Sequence, residues 1–226
     1  MKKTVLSFGA HPDDIEIGCA GTEALLMRQG YDLIHVVLTS GEQGARGVPQ
    51  ESLAKIRESE AIESAKSIGV RRVEFFRFPD GLTQYTPQMK LKVIRFLRQI
   101  RPDIVFIHSS QDHFPDHRVA HDLVMSALTA ASGPWYPEVV ELPHHVSVVY
   151  GYEVWHPISS PQVFVDISSV IEQKVSALKC HLSQISLVSY DEAFLGLARY
   201  RGALSMKSNY AEAFEVIQSE VMSVLC

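Results

Sequence analysis

What most constrains this chain is an alternation. Through the first two-thirds of its 226 residues, short runs rich in Val, Ile, Leu and Phe trade places with longer helical patterns. The strand-like runs cover residues 4–8, 33–38, 73–78 and 104–108, each bounded by polar or turn residues. Helical patterns fill the gaps at 21–29, 51–68, 89–100 and 117–131. In the second of these, Leu53, Ile56, Ala61, Ala65 and Ile68 mark an inner face, and Gly69 stands where a helix commonly ends. The third stops before Pro102. Strands separated by helices at this spacing build βαβ units with right-handed crossovers. The expected fold class is therefore α/β, with a mostly parallel sheet and helices on both faces.

The rest of the chain reads as part of the same domain, residues 1–226. Residues 133–161 hold five prolines and both tryptophans, with a strand expected at 146–151. Being aromatic and apolar, this stretch reads as an insertion that walls a site. Residues 164–168 lead into a helix at 170–181, and a last helix is expected over 210–224. Lys plus Arg is 21 and Asp plus Glu is 26, a formal net charge of −5. That balance argues against nucleic acid as a partner, since a binder of phosphate backbones needs a basic footprint. The three cysteines, Cys19, Cys180 and Cys226, form no CxxC pair, so neither a disulfide framework nor a Cys-rich zinc site is expected. No run approaches the ~18 apolar residues of a membrane span, and no secretory signal is evident at the N-terminus. The expected location is cytoplasmic.

Three groups of chemically capable residues stand after strand-like runs. They are His11-Pro12-Asp13-Asp14, then Thr39-Ser40-Gly41-Glu42-Gln43-Gly44, then Asp112-His113-Phe114-Pro115-Asp116-His117. In open α/β sheets, ligands bind outside the carboxyl ends of strands, so these groups can share one crevice. His11 and Asp14 on a tight turn, with His117 at the start of a helix, offer two nitrogens and one carboxylate. That set suits zinc with one position open, and also iron, cobalt or nickel. Asp13 diverges from Asp14 and is better placed to take a proton from water than to share the ion. Taken alone, each segment also reads as a capped helix start. A nucleotide-binding alternative meets two obstacles: the first loop lacks Gly-x-Gly-x-x-Gly, and its carboxylates would repel a pyrophosphate. His121 reads as a structural histidine, and His144-His145 as loop. Trp135, Tyr136, Tyr152 and Trp155 are aromatics able to stack on a sugar, or simply to pack.

The segment Ala10-His11-Pro12-Asp13-Asp14-Ile15-Glu16-Ile17-Gly18 resembles the signature of the LmbE-like, or PIG-L, family of zinc-dependent sugar N-deacetylases. Thr39-Ser40-Gly41-Glu42, Arg57-Glu58-x-Glu60, Pro79-Asp80-Gly81, Asp116-His117-Arg118, His181-x-Ser183-Gln184 and Tyr210-Ala211-Glu212-Ala213-Phe214 are similar to its later motifs, in order. The resemblance implies a Rossmann-like fold and removal of an acyl group, usually acetyl, from a small amino sugar or its conjugate. It implies Zn2+ held by His11, Asp14 and His117, with Asp13 as general base. It also implies substrate contacts from Arg57 and Asp80, and a homo-oligomer. One position departs from the pattern: Phe114 stands where the family commonly has a histidine that serves the oxyanion or the leaving amine. The neighbouring His113 is the candidate replacement, with Asp116 as its orienting partner. The departure also raises the alternative of a metal-binding relative without catalysis.

Overall fold

The structure is a computed structural model and describes residues 2–81 and 84–219. Among these residues seven strands form one sheet: β1 (Thr4–Gly9), β2 (Asp32–Thr39), β3 (Arg72–Phe78), β4 (Ile104–His108), β5 (Val148–Tyr152), β6 (Val163–Asp166) and β7 (Ala211–Gln218). Their spatial order is β3-β2-β1-β4-β5-β7-β6. The first five run parallel, while β7 lies antiparallel to β5 and β6. The strand order reverses between β1 and β4, which opens a crevice at their carboxyl ends.

Helices α1 (Asp14–Arg28), α2 (Gln50–Ile68) and α5 (Ile171–Leu178) pack together on one face. Helices α3 (Pro87–Ile100) and α4 (Pro115–Ala131) pack together on the other. The short α6 (Leu182–Ile185) and the longer α7 (Tyr190–Ser205) come after α5. Strand parity divides the core between the faces. Leu6 and Phe8 enter the cluster with Val93, Leu97 and Leu123, while Val5 enters the cluster with Ile15, Ala20 and Ala65. Each such Val, Leu, Ile or Phe side chain, fully buried, contributes about 1.5–3 kcal/mol. No helix among the described residues is long and apolar enough to cross a membrane.

Several elements differ from the sequence expectation. Helix α1 starts at Asp14, seven residues before the expected start at 21. Gly18, which reads as helix-weak, is required there: a Cβ would stand 2.1 Å from the Tyr152 ring. The helix expected over 210–224 is strand β7 where the structure describes it, and residues 220–224 lie outside the described residues. Its Ala and Glu favour helix locally, but pairing on both edges with β5 and β6 overrides that preference. The strand also delivers Glu212 into the interior. Glu212 accepts from the amides of Gly21 and Thr22 at 2.9 and 2.7 Å, and Lys174 Nζ donates to it at 2.6 Å. The helix expected at 170–181 shortens to α5, preceded by a 3-10 turn at Ser168–Val170. No sequence signal marked α7, whose start makes no side-chain cap and whose span contains Gly196 and Gly202.

At the far end of β3 the register against β2 shifts between Val37 and Thr39, with Arg77 at φ 53°. Such a bulge bends the strand and re-aims the chain beyond it. Here it turns the Pro79-Asp80-Gly81 segment toward the crevice.

Candidate metal centre

The turn from β1 into α1 is held from several sides. Asp13 occupies the position before the helix with φ 120°, a strained value for a residue with a side chain. The His11 amide donates to Asp14 Oδ2 at 2.6 Å. From α2, the buried Arg57 guanidinium donates to the carbonyls of Pro12 at 2.7 Å and Gly41 at 3.1 Å, and to Asp13 Oδ2 at 3.2 Å. Gly41, at φ 63°, leaves room for that guanidinium: a Cβ would lie 2.3 Å from Nη1. From α7, Tyr190 Oη donates to Asp13 Oδ2 at 2.8 Å. Among the described residues nothing hydrogen-bonds Asp13 Oδ1. Burial pushes the Asp13 carboxyl above the ordinary aspartate range, against the opposing pull of Arg57.

His11, Asp14 and His117 converge as expected. His117 Nε2 lies 3.2 Å from Asp14 Oδ1, and His11 Nδ1 lies 3.4 Å from Asp14 Oδ2. One ligand atom from each falls within 4.8 Å of the others. His117 Nε2 is buried and has no hydrogen-bond partner among the described residues, although it faces a carboxylate oxygen. A cation accounts for that pairing. Zinc ligands at about 2.0–2.1 Å in a tetrahedron stand roughly 3.3 Å apart. The opposite ring nitrogens are each backed by a carboxylate, which fixes ring orientation and basicity. His117 Nδ1 pairs with Asp112 Oδ2 at 3.0 Å, and His11 Nε2 with Asp116 Oδ2 at 3.0 Å and Asp80 Oδ1 at 3.1 Å. The donor set therefore fits a divalent metal. Without one, burial opposes charge on His117, but Asp14 and Asp112 outweigh it and push the ring up to about 9. Burial likewise disfavours the Asp14 carboxylate, yet His117 holds it well below the usual range.

The loop before α4 departs from expectation. His113 is exposed, with its ring edge-on to His156 at 4.0 Å, and it does not line the crevice. The backbone is extended at Phe114, and adjacent residues of extended chain point opposite ways. Phe114 therefore faces the site, 43% exposed, with ring centroids 4.8 Å from His117 and 5.8 Å from His11. Asp116 consequently orients no histidine at that position. It accepts from His11 and, at 2.9 Å, from the Gly81 amide.

Arg57 and Asp80 both border the cavity, of about 480 Å³, above His11, Asp13 and Asp14. Asp80 is fixed by the amides of Gln43 at 2.7 Å and Gly81 at 3.0 Å. The structure adds residues that sequence reasoning missed. Tyr190 had no signal, because α7 had none. Asp112, five residues before His117, was visible as a carboxylate without an assigned role. Trp155, from the expected insertion, forms part of the wall and meets Tyr190 and Phe194 at 6.1 and 5.4 Å.

The sequence profile described as PIG-L, GlcNAc-PI de-N-acetylase, matches residues 6–128, a span that carries the turn, Arg57, Asp80 and His117. The chain belongs to the PIG-L family. It is 31% identical over 226 residues to the diacetylchitobiose deacetylase of Thermococcus kodakarensis, covering 95% of this chain and 83% of that one. It is 30% identical to the 4-oxalmesaconate hydratase of Pseudomonas putida, covering 84% of this chain and 77% of that one. The solved N,N'-diacetylchitobiose deacetylase of Pyrococcus horikoshii superposes with a TM-score of 0.86 at 26% identity, covering 95% and 84% of the two chains. The PIG-L match and the superposition agree with the expected family and with the α/β fold.

Proposed function

We propose that this PIG-L chain is a metal-dependent hydrolase that removes an N-acyl group, ordinarily acetyl, from a small amino sugar or its conjugate. The deacetylases among its relatives support the reaction class. The observation that carries the reading is the unpartnered His117 Nε2, converging with His11 and Asp14 beside the free oxygen of Asp13. His11, Asp14 and His117 would hold the ion, with zinc the first choice for two imidazoles and a carboxylate. Bound there, a divalent cation supplies Lewis acidity toward water and toward an acyl oxygen.

The protein's own groups do the rest. Asp13 Oδ1 accepts a proton from the attacking water while Arg57 and Tyr190 fix the other oxygen. With Phe114 at the family's histidine position and His113 turned away, Asp13 is also the group that returns the proton to the departing amine. Arg57 serves first to hold the base, and Asp80 to back His11, each at the edge of the substrate cavity. Trp155 and Phe114 provide an aromatic wall facing these polar groups, which suits the apolar face of a sugar ring. The two carboxylates at the start of α1 weigh against the nucleotide-binding alternative, since they would repel a pyrophosphate.

Phe114 also favours a second reading, hydration of an unsaturated acid, the reaction named for the Pseudomonas putida relative. Hydration releases no amine and so needs no imidazole to protonate one. The test is a screen of N-acetylglucosamine, its β-linked dimer and other N-acyl amino sugars for amine release, with zinc and with a chelator. Amine release that stops with the chelator supports the deacetylase. Metal binding with no amine release refutes it, and a parallel screen of unsaturated dicarboxylates then separates the hydratase from a catalysis-free metal protein.

A further inference from the structure

β1 and β4 separate at the mouth of the crevice. Their register runs Val5↔Ile104, Leu6↔Val105 and Ser7↔Phe106, and then stops. Beyond that point the chain still carries buried residues, Phe8 in β1 and Ala10 just after it, on its way into the turn that bears His11 and Asp14. Their backbone groups need partners that β4 no longer supplies. Side chains take over. Tyr152 Oη, reaching across from β5, donates to the Phe8 carbonyl at 2.6 Å. The Ala10 amide donates to His108 Nε2 at 3.0 Å. The His108 carbonyl meets His121 Nδ1 at 2.8 Å.

His108 does more than fill a rung. Its ring lies nearly flat on that of His117, with centroids 4.1 Å apart and an angle of 19°. Its Nε2 also stands 3.3 Å from Asp14 Oδ2. Because Nε2 accepts the Ala10 N–H, the ring proton sits on Nδ1. That atom is buried and finds no partner among the described residues. An unsatisfied buried donor is destabilising, and an apolar ring of similar shape would avoid the penalty. Packing alone therefore does not explain a histidine at this position.

We propose that His108 is a positioning residue of the metal centre: its Nε2 replaces the missing sheet rung at Ala10 and so fixes the turn bearing His11 and Asp14 against His117. The inference rests on the metal reading of that turn. It is tested by titrating the metal-free full chain with cobalt(II) in competition with a chromophoric chelator, recording the visible spectrum of the bound ion. His108→Phe keeps the stacked ring and removes the acceptor. It should bind cobalt about 10–100-fold more weakly, the usual consequence of losing such support. Its spectrum should change, while the metal-free form should melt close to the unsubstituted chain, since the unpaired Nδ1–H is exchanged for an unpaired Ala10 N–H. His108→Gln, whose side-chain oxygen reaches the Nε2 position, should recover most of the affinity. Unchanged affinity and spectrum in His108→Phe overturn the proposal, as does a Gln variant no better than the Phe variant. If His108→Phe does not fold, Tyr152→Phe decides. It removes only the hydroxyl that holds the Phe8 carbonyl and stands 3.3 Å from His108 Nε2, and it should weaken cobalt binding several-fold, whereas no change overturns the idea. Absence of cobalt binding in the unsubstituted chain would instead overturn the metal reading itself.

Discussion

The two walls of the cavity are built on different principles. One wall comes from the ends of β1 to β4 and is polar and cross-braced: Asp13 is held by Arg57 and Tyr190, His11 by Asp80 and Asp116, His117 by Asp112. The other comes from the loop before α4 and from the chain beyond β5, and it is aromatic: Phe114 and Trp155, each more than two-fifths exposed. The first wall fixes atoms to within a hydrogen bond, as metal binding and proton transfer require. The second offers surface without fixed polar partners, which suits selection among substrates. On the proposed function, reaction and specificity fall to separate parts of this chain, a division that substitution on either side can break.

The largest effect belongs to the polar wall. His11→Ala removes one of three ligand atoms and leaves Asp14 and His117 without their third partner. Elemental analysis of the purified variant should find the metal gone and turnover at background. Retention of a full equivalent of metal would remove His11 from the ligand set. Asp13→Asn comes next. It keeps the shape and both hydrogen-bonding neighbours, so the metal should remain, while kcat falls by about 10²–10⁴-fold, the usual worth of a general base. A variant as fast as the unsubstituted enzyme would pass the base role to another group.

Legibility in the sequence divides along the same line. The five parallel strands were readable because each is a compact run of β-branched or aromatic residues, and the candidate ligands were readable because they stand in the segments that follow those runs. His11, Asp14 and His117 come together at neighbouring strand ends, as the alternation of strands and helices led one to expect. The aromatic wall was harder. His113 and Phe114 are neighbours, and which one faces inward depends on the backbone conformation before α4, which residue types alone do not set. Tyr190 lies on a helix without cap or clean periodicity, so nothing announced that it reaches Asp13. β7 was read as helix because its Ala and Glu favour one, and only pairing with two partners reveals the strand. Local pattern carried the chemistry; long-range pairing carried the remainder.

A third effect is one of pH and again concerns the polar wall. In the metal-free chain His117 titrates at about 9, above the ordinary 6.5. Below about 9 a metal must therefore displace its proton, and the raised His11 ring adds to that competition. Between pH 6.5 and 9 the apparent dissociation constant for zinc should fall by at least tenfold per unit. The linkage to stability has the opposite sign. A raised histidine stabilises the metal-free fold fully below 6.5, and that contribution is lost as pH rises through 9. Thermal melts should thus show the metal-free chain weakening over this window while the zinc-loaded chain does not. A zinc affinity that is flat from pH 6.5 to 9 would mean that His117 is neutral before the metal arrives.

The smallest effect tests the aromatic wall, and it is the one that decides whether the two walls are separate. Trp155 stands on the edges of Tyr190 and Phe194, so its ring is held in place before any substrate arrives. A sugar ring laid against it would gain on the order of 1 kcal/mol beyond simple burial, which is between five- and tenfold in binding. Trp155→Ala should therefore raise KM for an N-acetyl amino sugar by roughly that factor. It should leave kcat and metal content unchanged, because the ring is lost without moving Asp13 or the ligands. A small N-acetyl amide with no sugar ring provides the control, and its kinetics should not respond. If kcat falls instead, the loss has travelled through Tyr190 to the Tyr190–Asp13 hydrogen bond at 2.8 Å. The aromatic wall would then be part of the catalytic bracing rather than a separate surface for the substrate.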